Sequence, residues 1–366
     1  MRRARISLAL CGLVTSAAIC AALWPHAREA TAILAARDDP AELADVKLDA
    51  SLRNGNLVSE NIESALAAHD ADLANSFVEL AREKNIVVDD AQARRVAAAV
   101  AEENSTAHVA KSFATGLVTG NADDVASLSG TIAGDLFVFG DIRDVVRETK
   151  HLAMGEDTDR LVLGLATLGL AVTAATYVSV GGAVPLRAGL TLVKDARKVG
   201  RLGGGLAEWA GRSAREVVDA PVLQHAVANG SVLRPAATVS AITAAFRAEK
   251  AGGLVRLAKD IGRIGERAGV RAAQDTLKIA EEPKDVARAV RLAEAKGGKT
   301  RAILKVLGRG ALLLASGAFG LASWLFGALL ALFGVLSAIK ATTERATQAV
   351  LDRRRVKRLR MQAAAG

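Results

Sequence analysis

The residues best placed to do chemistry are Ala293-Glu-Ala-Lys-Gly-Gly-Lys-Thr300. They satisfy a relaxed phosphate-loop pattern, with Ala293 where the stricter pattern has glycine. A working loop would set Lys299 on phosphate oxygens and Thr300 on a magnesium ion. Such a loop follows a β-strand, whereas Pro283–Lys296 reads as an amphipathic helix carrying Val286, Val290 and Leu292. Gly297-Gly298 then reads as the end of that helix before Thr300 opens the next, so ATP binding is not expected here. The second candidate is the acidic set Asp135, Asp141 and Asp144 within Gly130–Arg147. A hard cation needs about six oxygens from a loop of defined spacing, which this run lacks. Its two Gly-Asp pairs read instead as turn glycines and helix-capping aspartates beside an apolar Leu136–Phe139 patch.

Of the five histidines, His26, His69, His108, His151 and His225, no two stand four apart as a helical metal pair requires. Cys11 and Cys20 lie nine residues apart in an apolar run, on opposite faces of a helix, so they make neither a disulfide framework nor a zinc site. No nucleophile elbow and no Cys–His pairing is present. The residues therefore predict no catalytic, cofactor-binding or metal-ligating set and a protein that is not an enzyme.

The elements around these residues are organised by hydrophobicity and charge. The chain is 51% hydrophobic with only 3% aromatics, a composition suited to closely packed helices. Three runs carry no charge: Ile6–Trp24 (19 residues), Leu161–Leu186 (26) and Gly310–Ile339 (30). Each reaches the roughly 20 residues that cross a bilayer. The first follows Arg2, Arg3 and Arg5 and reads as an uncleaved signal anchor in preference to a cleaved signal peptide. The net charge of +9 is unevenly spread. Pro25–Arg160 holds 13 Lys/Arg against 25 Asp/Glu, and Pro185–Gly310 holds 24 against 12. Basic flanks mark cytoplasmic segments, which places the acidic half outside and the basic half inside. The third run fits this scheme less directly. One span would export the tail containing Asp352-Arg-Arg-Arg-Val-Lys-Arg-Leu-Arg360, whereas a re-entrant hairpin, with Gly317, Gly320, Gly327 and Gly334 at the bend, would keep it inside. Small residues recur every three or four positions at Ser323, Gly327, Ala331 and Gly334, a stripe that lets helices approach closely. No ionisable residue lies within any of the three runs, which argues against ion-coupled transport.

The acidic half reads as short helices opened by Asp38-Asp-Pro, Ser59, Asp70 or Asp72, and Asp89-Asp90, residue types that accept bonds from free backbone N–H groups. In the basic half, Ala258–Ala280 alternates Ile261, Ile264, Ala268, Leu277 and Ile279 with Lys259, Arg263, Arg267, Arg271 and Lys278. Its apolar face could lie on anionic headgroups or pack within a helical bundle. Nucleic-acid binding is disfavoured, because Trp209 and Phe246 are the only aromatics between residues 185 and 310.

Gly130–Leu170 and Gly269–Gly308, including Glu282-Pro-Lys-Asp and Lys296-Gly-Gly-Lys-Thr, resemble a family of proteobacterial membrane proteins with no known activity. The resemblance implies a bacterial inner-membrane location and adds no functional residues. The fold expected is therefore all-α and multi-pass. It comprises a cytoplasmic N-terminus (1–5), a transmembrane anchor (6–24), an acidic helical periplasmic domain (25–160), a transmembrane helix (161–184), a basic helical cytoplasmic region (185–309), a transmembrane helix or hairpin (310–339) and a basic tail (340–366). The expected role is a non-enzymatic envelope scaffold or interaction protein. An oligomeric pore is the first alternative and a membrane-anchored nucleotide-binding enzyme the last. The expected partners are a bilayer with anionic headgroups, further copies of the chain and a periplasmic protein, with no cofactor.

Overall fold

Runs rich in Ala and Leu, with Asp, Pro and Gly at their borders, dictate a chain of helices, and a computed structural model of the protein has this form. It describes residues 2–36, 39–52, 56–105, 131–176, 184–228, 240, 242–312 and 318–363, with no β-strand among them. In chain order the helices are α1 (Arg2–Ala35), α2 (Pro40–Ser51), α3 (Leu57–Ala67), α4 (Ala71–Glu83), α5 (Asp90–Glu103), α6 (Thr131–Met154), α7 (Arg160–Thr176) and α8 (Val184–Lys198). They continue as α9 (Gly204–Val217), α10 (Ala220–Ala228), α11 (Gly252–Ala268), α12 (Val270–Ile279), α13 (Pro283–Lys296), α14 (Thr300–Leu307) and α15 (Ala318–Ala363).

Local chemistry sets many of the boundaries. Asp39 accepts from Ala41 N and precedes Pro40 at the first turn of α2. Asp70 accepts from Leu73 N, and Asp89 from Gln92 N. Ser59 does not start α3, which begins at Leu57 after Asn56. The amphipathic run at 258–280 is broken by Gly269, whose φ of 92° ends α11 and turns the chain into α12. Gly140, expected in a turn, lies inside α6 instead.

The helices divide into two compact units, residues 1–38 with 314–366, and residues 39–313. The larger unit joins what the charge pattern separates. Asp70 on α4 lies 2.7 Å from Arg301 on α14, and Asp45 on α2 lies 2.8 Å from Lys296 on α13. The sequence reading put a bilayer between these pairs, and direct contact leaves no room for one. The domain boundaries expected at 160 and 185 are accordingly absent from this unit. The two opposite charge excesses are complementary surfaces of one bundle, and residues 39–313 hold 35 Lys/Arg against 35 Asp/Glu.

The helix expected to span a membrane at 161–184 is also placed differently. All ten residues from 161 to 170 are buried against the surrounding helices of the unit. A helix apolar on every side suits the centre of a bundle as well as it suits lipid. The apolar face of 258–280 is likewise used internally, with Ile261, Ile264 and Leu277 fully enclosed; this corrects the headgroup-facing alternative. Helices α8 and α11 cross in direct backbone contact. A Cβ on Gly189 would stand 1.7 Å from the Ala258 carbonyl oxygen, and one on Gly262 would stand 1.8 Å from that of Pro185.

In the smaller unit, α15 runs unbroken for 46 residues, so the hairpin alternative for 310–339 is not formed across 318–339. It packs antiparallel to α1. His26 stacks on Trp324 with ring centroids 4.6 Å apart, and Gly327 faces Leu23. Among the described residues, Phe326–Glu344 is the one stretch long and apolar enough to cross a membrane, and none of it is buried.

Candidate functional site

The loop at 297–299 is a single turn of 3-10 helix between α13 and α14, with Gly297 at a positive φ of 53° ending α13. α13 is preceded by no strand. Its start is fixed by Asp285, which accepts the Glu282 N–H at 3.3 Å. Helix α4 fills the space a phosphate would need. Ser76 Oγ donates to the Gly298 carbonyl at 2.6 Å, and a Cβ on Gly298 would stand 2.6 Å from Glu79. Lys299 pairs with Glu83, while Thr300 Oγ1 donates to the Gly297 carbonyl. Burial alone would raise the Glu83 pKa, but bonds from Lys296 and Lys299 outweigh it and hold it down to about 2. The lysine of the motif is thus a structural cation, clamped to the acidic half.

Beside this loop, Arg301 is the most heavily used cation of the interface. Its side chain is 5% exposed, with Nε 2.8 Å from Asp275, a two-pronged contact to Asp70 and a further bond to Asp72. Burial disfavours its charge, yet Asp70 and Asp275 more than compensate and raise its pKa. Sequence reading assigned Arg301 no role. An arginine one residue after a helix start carries no local signal of its three distant aspartates.

Of the acidic set in α6, the side chain of Asp135 lies outside the described residues, and Asp141 and Asp144 turn inward onto α8. Lys194 pairs with Asp141 and reaches Asp144 at 3.6 Å, and Lys198 donates to Asp144 at 2.8 Å. Gly169 on α7 makes room for this cluster, because a Cβ there would overlap the Asp141 carboxylate. Among the described residues no group of His, Cys, Asp and Glu could hold a metal ion. The four side chains instead form a two-carboxylate, two-ammonium cluster, buried at Asp141, Asp144 and Lys194 and open to solvent at Lys198, that ties α6 to α8.

Within it the carboxylates differ. Burial pushes the Asp141 pKa up to about 6, against the attraction of Lys194, and the Asp144 charge adds to the rise. For Asp144, burial is outweighed by Lys198 and Lys194, and its pKa is lowered. A carboxylate with a raised folded-state pKa favours folding most below its unfolded value of 3.8 and loses that contribution as pH rises through about 6. Asp141→Asn has no proton to lose there. Urea denaturation at pH 4 and pH 7 is expected to show the variant gaining about 2–3 kcal/mol relative to wild type over that interval. A constant difference between the two proteins would refute a raised Asp141.

The described histidines stand apart from one another. His26 stacks on Trp324, His69 adopts a φ of 54° in the turn between α3 and α4, and His151 lies 3.9 Å from Glu148. His225 sits on α10, and His108 lies outside the described residues.

The smaller unit presents the opposite surface. Its large apolar side chains face outward: Phe333 is 70% exposed, Phe326 and Leu329 are 64%, and Leu336 is 58%. In the bundle, Leu165 and Leu168 are 1% exposed. The small-residue stripe of α15 turns partly toward α1, where Gly327 meets Leu23.

No protein-family model matches the chain, and no curated protein or solved structure is found similar to it. The geometry itself defines the class: an all-α protein made of a helical bundle of zero net charge and an antiparallel helix pair that exposes apolar side chains along α15.

Proposed function

We propose that this chain is a non-enzymatic scaffold of a bacterial inner membrane, in which the α1–α15 pair anchors the 39–313 bundle to the bilayer. The outward-facing apolar side chains of α15 carry this reading. A water-facing patch of this size is an aggregation liability, while lipid removes the liability.

The antiparallel register supports a placement of the basic tail on the same side as the N-terminus. His26 opposite Trp324 and Leu23 opposite Gly327 share one register. Carried along the helices, it sets Arg2, Arg3 and Arg5 opposite residues 345–348. The basic run Arg353–Arg360 then continues beyond the same end of the pair. Residues 11–27 and 323–339 lie side by side and contain no Asp, Glu, Lys or Arg. Their length is about 25 Å, near the roughly 30 Å of a hydrocarbon core. Lys340, one turn from the charged end, can extend its ammonium to the headgroups. Both basic ends are then cytoplasmic, as the positive-inside rule requires. The bundle, entered and left from the other end of the pair, lies wholly on the periplasmic side and offers its surface to a periplasmic partner. The protein crosses the membrane twice.

The test is labelling by a membrane-impermeant maleimide in spheroplasts, on a background in which Cys11 and Cys20 are serine. Val87→Cys and Lys278→Cys replace exposed residues of the two halves of the bundle, and Arg355→Cys an exposed residue of the tail. Residues 87 and 278 are expected to label in intact spheroplasts and residue 355 only after lysis. Labelling of residues 87 and 278 from different sides, or of 355 together with 87, would refute the two-span arrangement.

A further inference from the structure

A cavity of about 690 Å³ opens between the first turn of α7, the end of α8 and one face of α9. Its charged lining is Arg160, Arg197, Arg212 and Arg215 against Asp159 and Glu208, an excess of two positive charges. Arg197 is held by Asp159 at 2.8 Å, and Arg212 lies 3.7 Å from the exposed Glu208. Arg160 and Arg215 are exposed and make no ion pair among the described residues. Two guanidiniums without an ion partner among the described residues thus face one cavity.

The floor of the cavity is as informative as its rim. Gly204, Ala207 and Gly211 lie along one face of α9 and leave the helix backbone open. At Gly211 an added Cβ would meet nothing, so packing within the bundle does not require glycine there. A mid-helix glycine weakens a helix, and one without a packing reason suits a surface that another molecule approaches closely. Gly204 at the start of α9 also lines the cavity, while the backbone N–H of Gly205 beside it is already taken by the Glu281 carboxylate.

We infer that this cavity binds a phosphate-bearing small molecule, its oxyanion held by Arg160 and Arg215 and seated over the glycine face of α9. Guanidinium forks match tetrahedral oxyanions in two-pronged geometry, and the volume lies within the range of small-molecule sites. The phosphate could belong to a soluble metabolite or to a phospholipid headgroup, and the same groups would read either.

The experiment is calorimetric titration of the full chain in neutral detergent at low salt. Sodium pyrophosphate is one probe, and a short-chain phosphatidylglycerol below its micellar concentration is the other. Saturable binding of pyrophosphate is expected if the source is soluble, and of the phospholipid alone if the source is lipid. In either case Arg160→Ala and Arg215→Ala should each weaken binding about tenfold or more. Gly211→Leu should abolish binding by filling the floor, while the thermal midpoint of the free protein is unchanged or higher. The proposal is overturned if neither probe binds at millimolar concentration, or if binding is indifferent to all three substitutions.

Discussion

Arg301→Ala is expected to destabilise the 39–313 bundle by about 3–5 kcal/mol, the cost of removing one partner from a buried ion network. The guanidinium touches Asp70, Asp72 and Asp275 from within a helix and is 5% exposed. Removing it leaves Asp70 with the longer 3.2 Å contact to Arg271 and leaves Asp275 without its ion partner. Asp72 is half exposed and contributes least, because water screens it. The loss is a large part of the roughly 5–15 kcal/mol that holds a typical domain folded. Arg301→Lys keeps the charge but not the fork, and should cost about 1–2 kcal/mol. Urea unfolding of the purified chain followed by far-ultraviolet circular dichroism measures both. An alanine variant within about 0.5 kcal/mol of wild type would mean that the acidic and basic halves are not clamped together as described.

The second large effect is expected at a glycine. Gly262→Ala should cost about 3 kcal/mol or more, and Gly262→Val should prevent the bundle from folding. The new methyl would stand 1.8 Å from the Pro185 carbonyl oxygen and 2.5 Å from its carbon, so α8 and α11 would have to separate. Gly211→Ala is the matched control. Both glycines lie inside helices and both gain about 1 kcal/mol of helix propensity on becoming alanine. The space around Gly211 is open, so there the propensity gain stands alone and the protein should become more stable. Opposite signs from one chemical change at two helical positions would show that backbone contact, not propensity, governs Gly262. Equal effects would show that α8 and α11 are not in contact.

Much of the local structure was legible before any tertiary contact was known. Asp39, Asp70 and Asp89 start helices because a short carboxylate reaches a free N–H within its own turn. Pro283–Lys296 was readable as a helix with Gly297 at its end for the same kind of reason. The phosphate-loop pattern could be set aside because no strand preceded it. What could not be read was which distant groups the loop meets. Ser76, Glu79 and Glu83 lie more than two hundred residues before it.

The ionic segregation between 25–160 and 185–310 reads in the sequence as a topological signal, yet residues 39–313 balance to zero charge and pair across the divide. A sign excess records only that counter-charges lie elsewhere. It does not distinguish a headgroup layer from another helix of the same chain. The uncharged run from 161 had the same ambiguity, since apolar side chains leave water equally well for lipid or for protein.

By itself, then, the sequence determined the helices, their caps and the presence of strongly apolar segments, because these depend on residues within a few positions of one another. Only the tertiary structure decided which apolar helix is enclosed by protein and which faces outward, and which charges neutralise which. Those outcomes depend on the partner that each face meets, and the partner is chosen by the packing of the whole bundle.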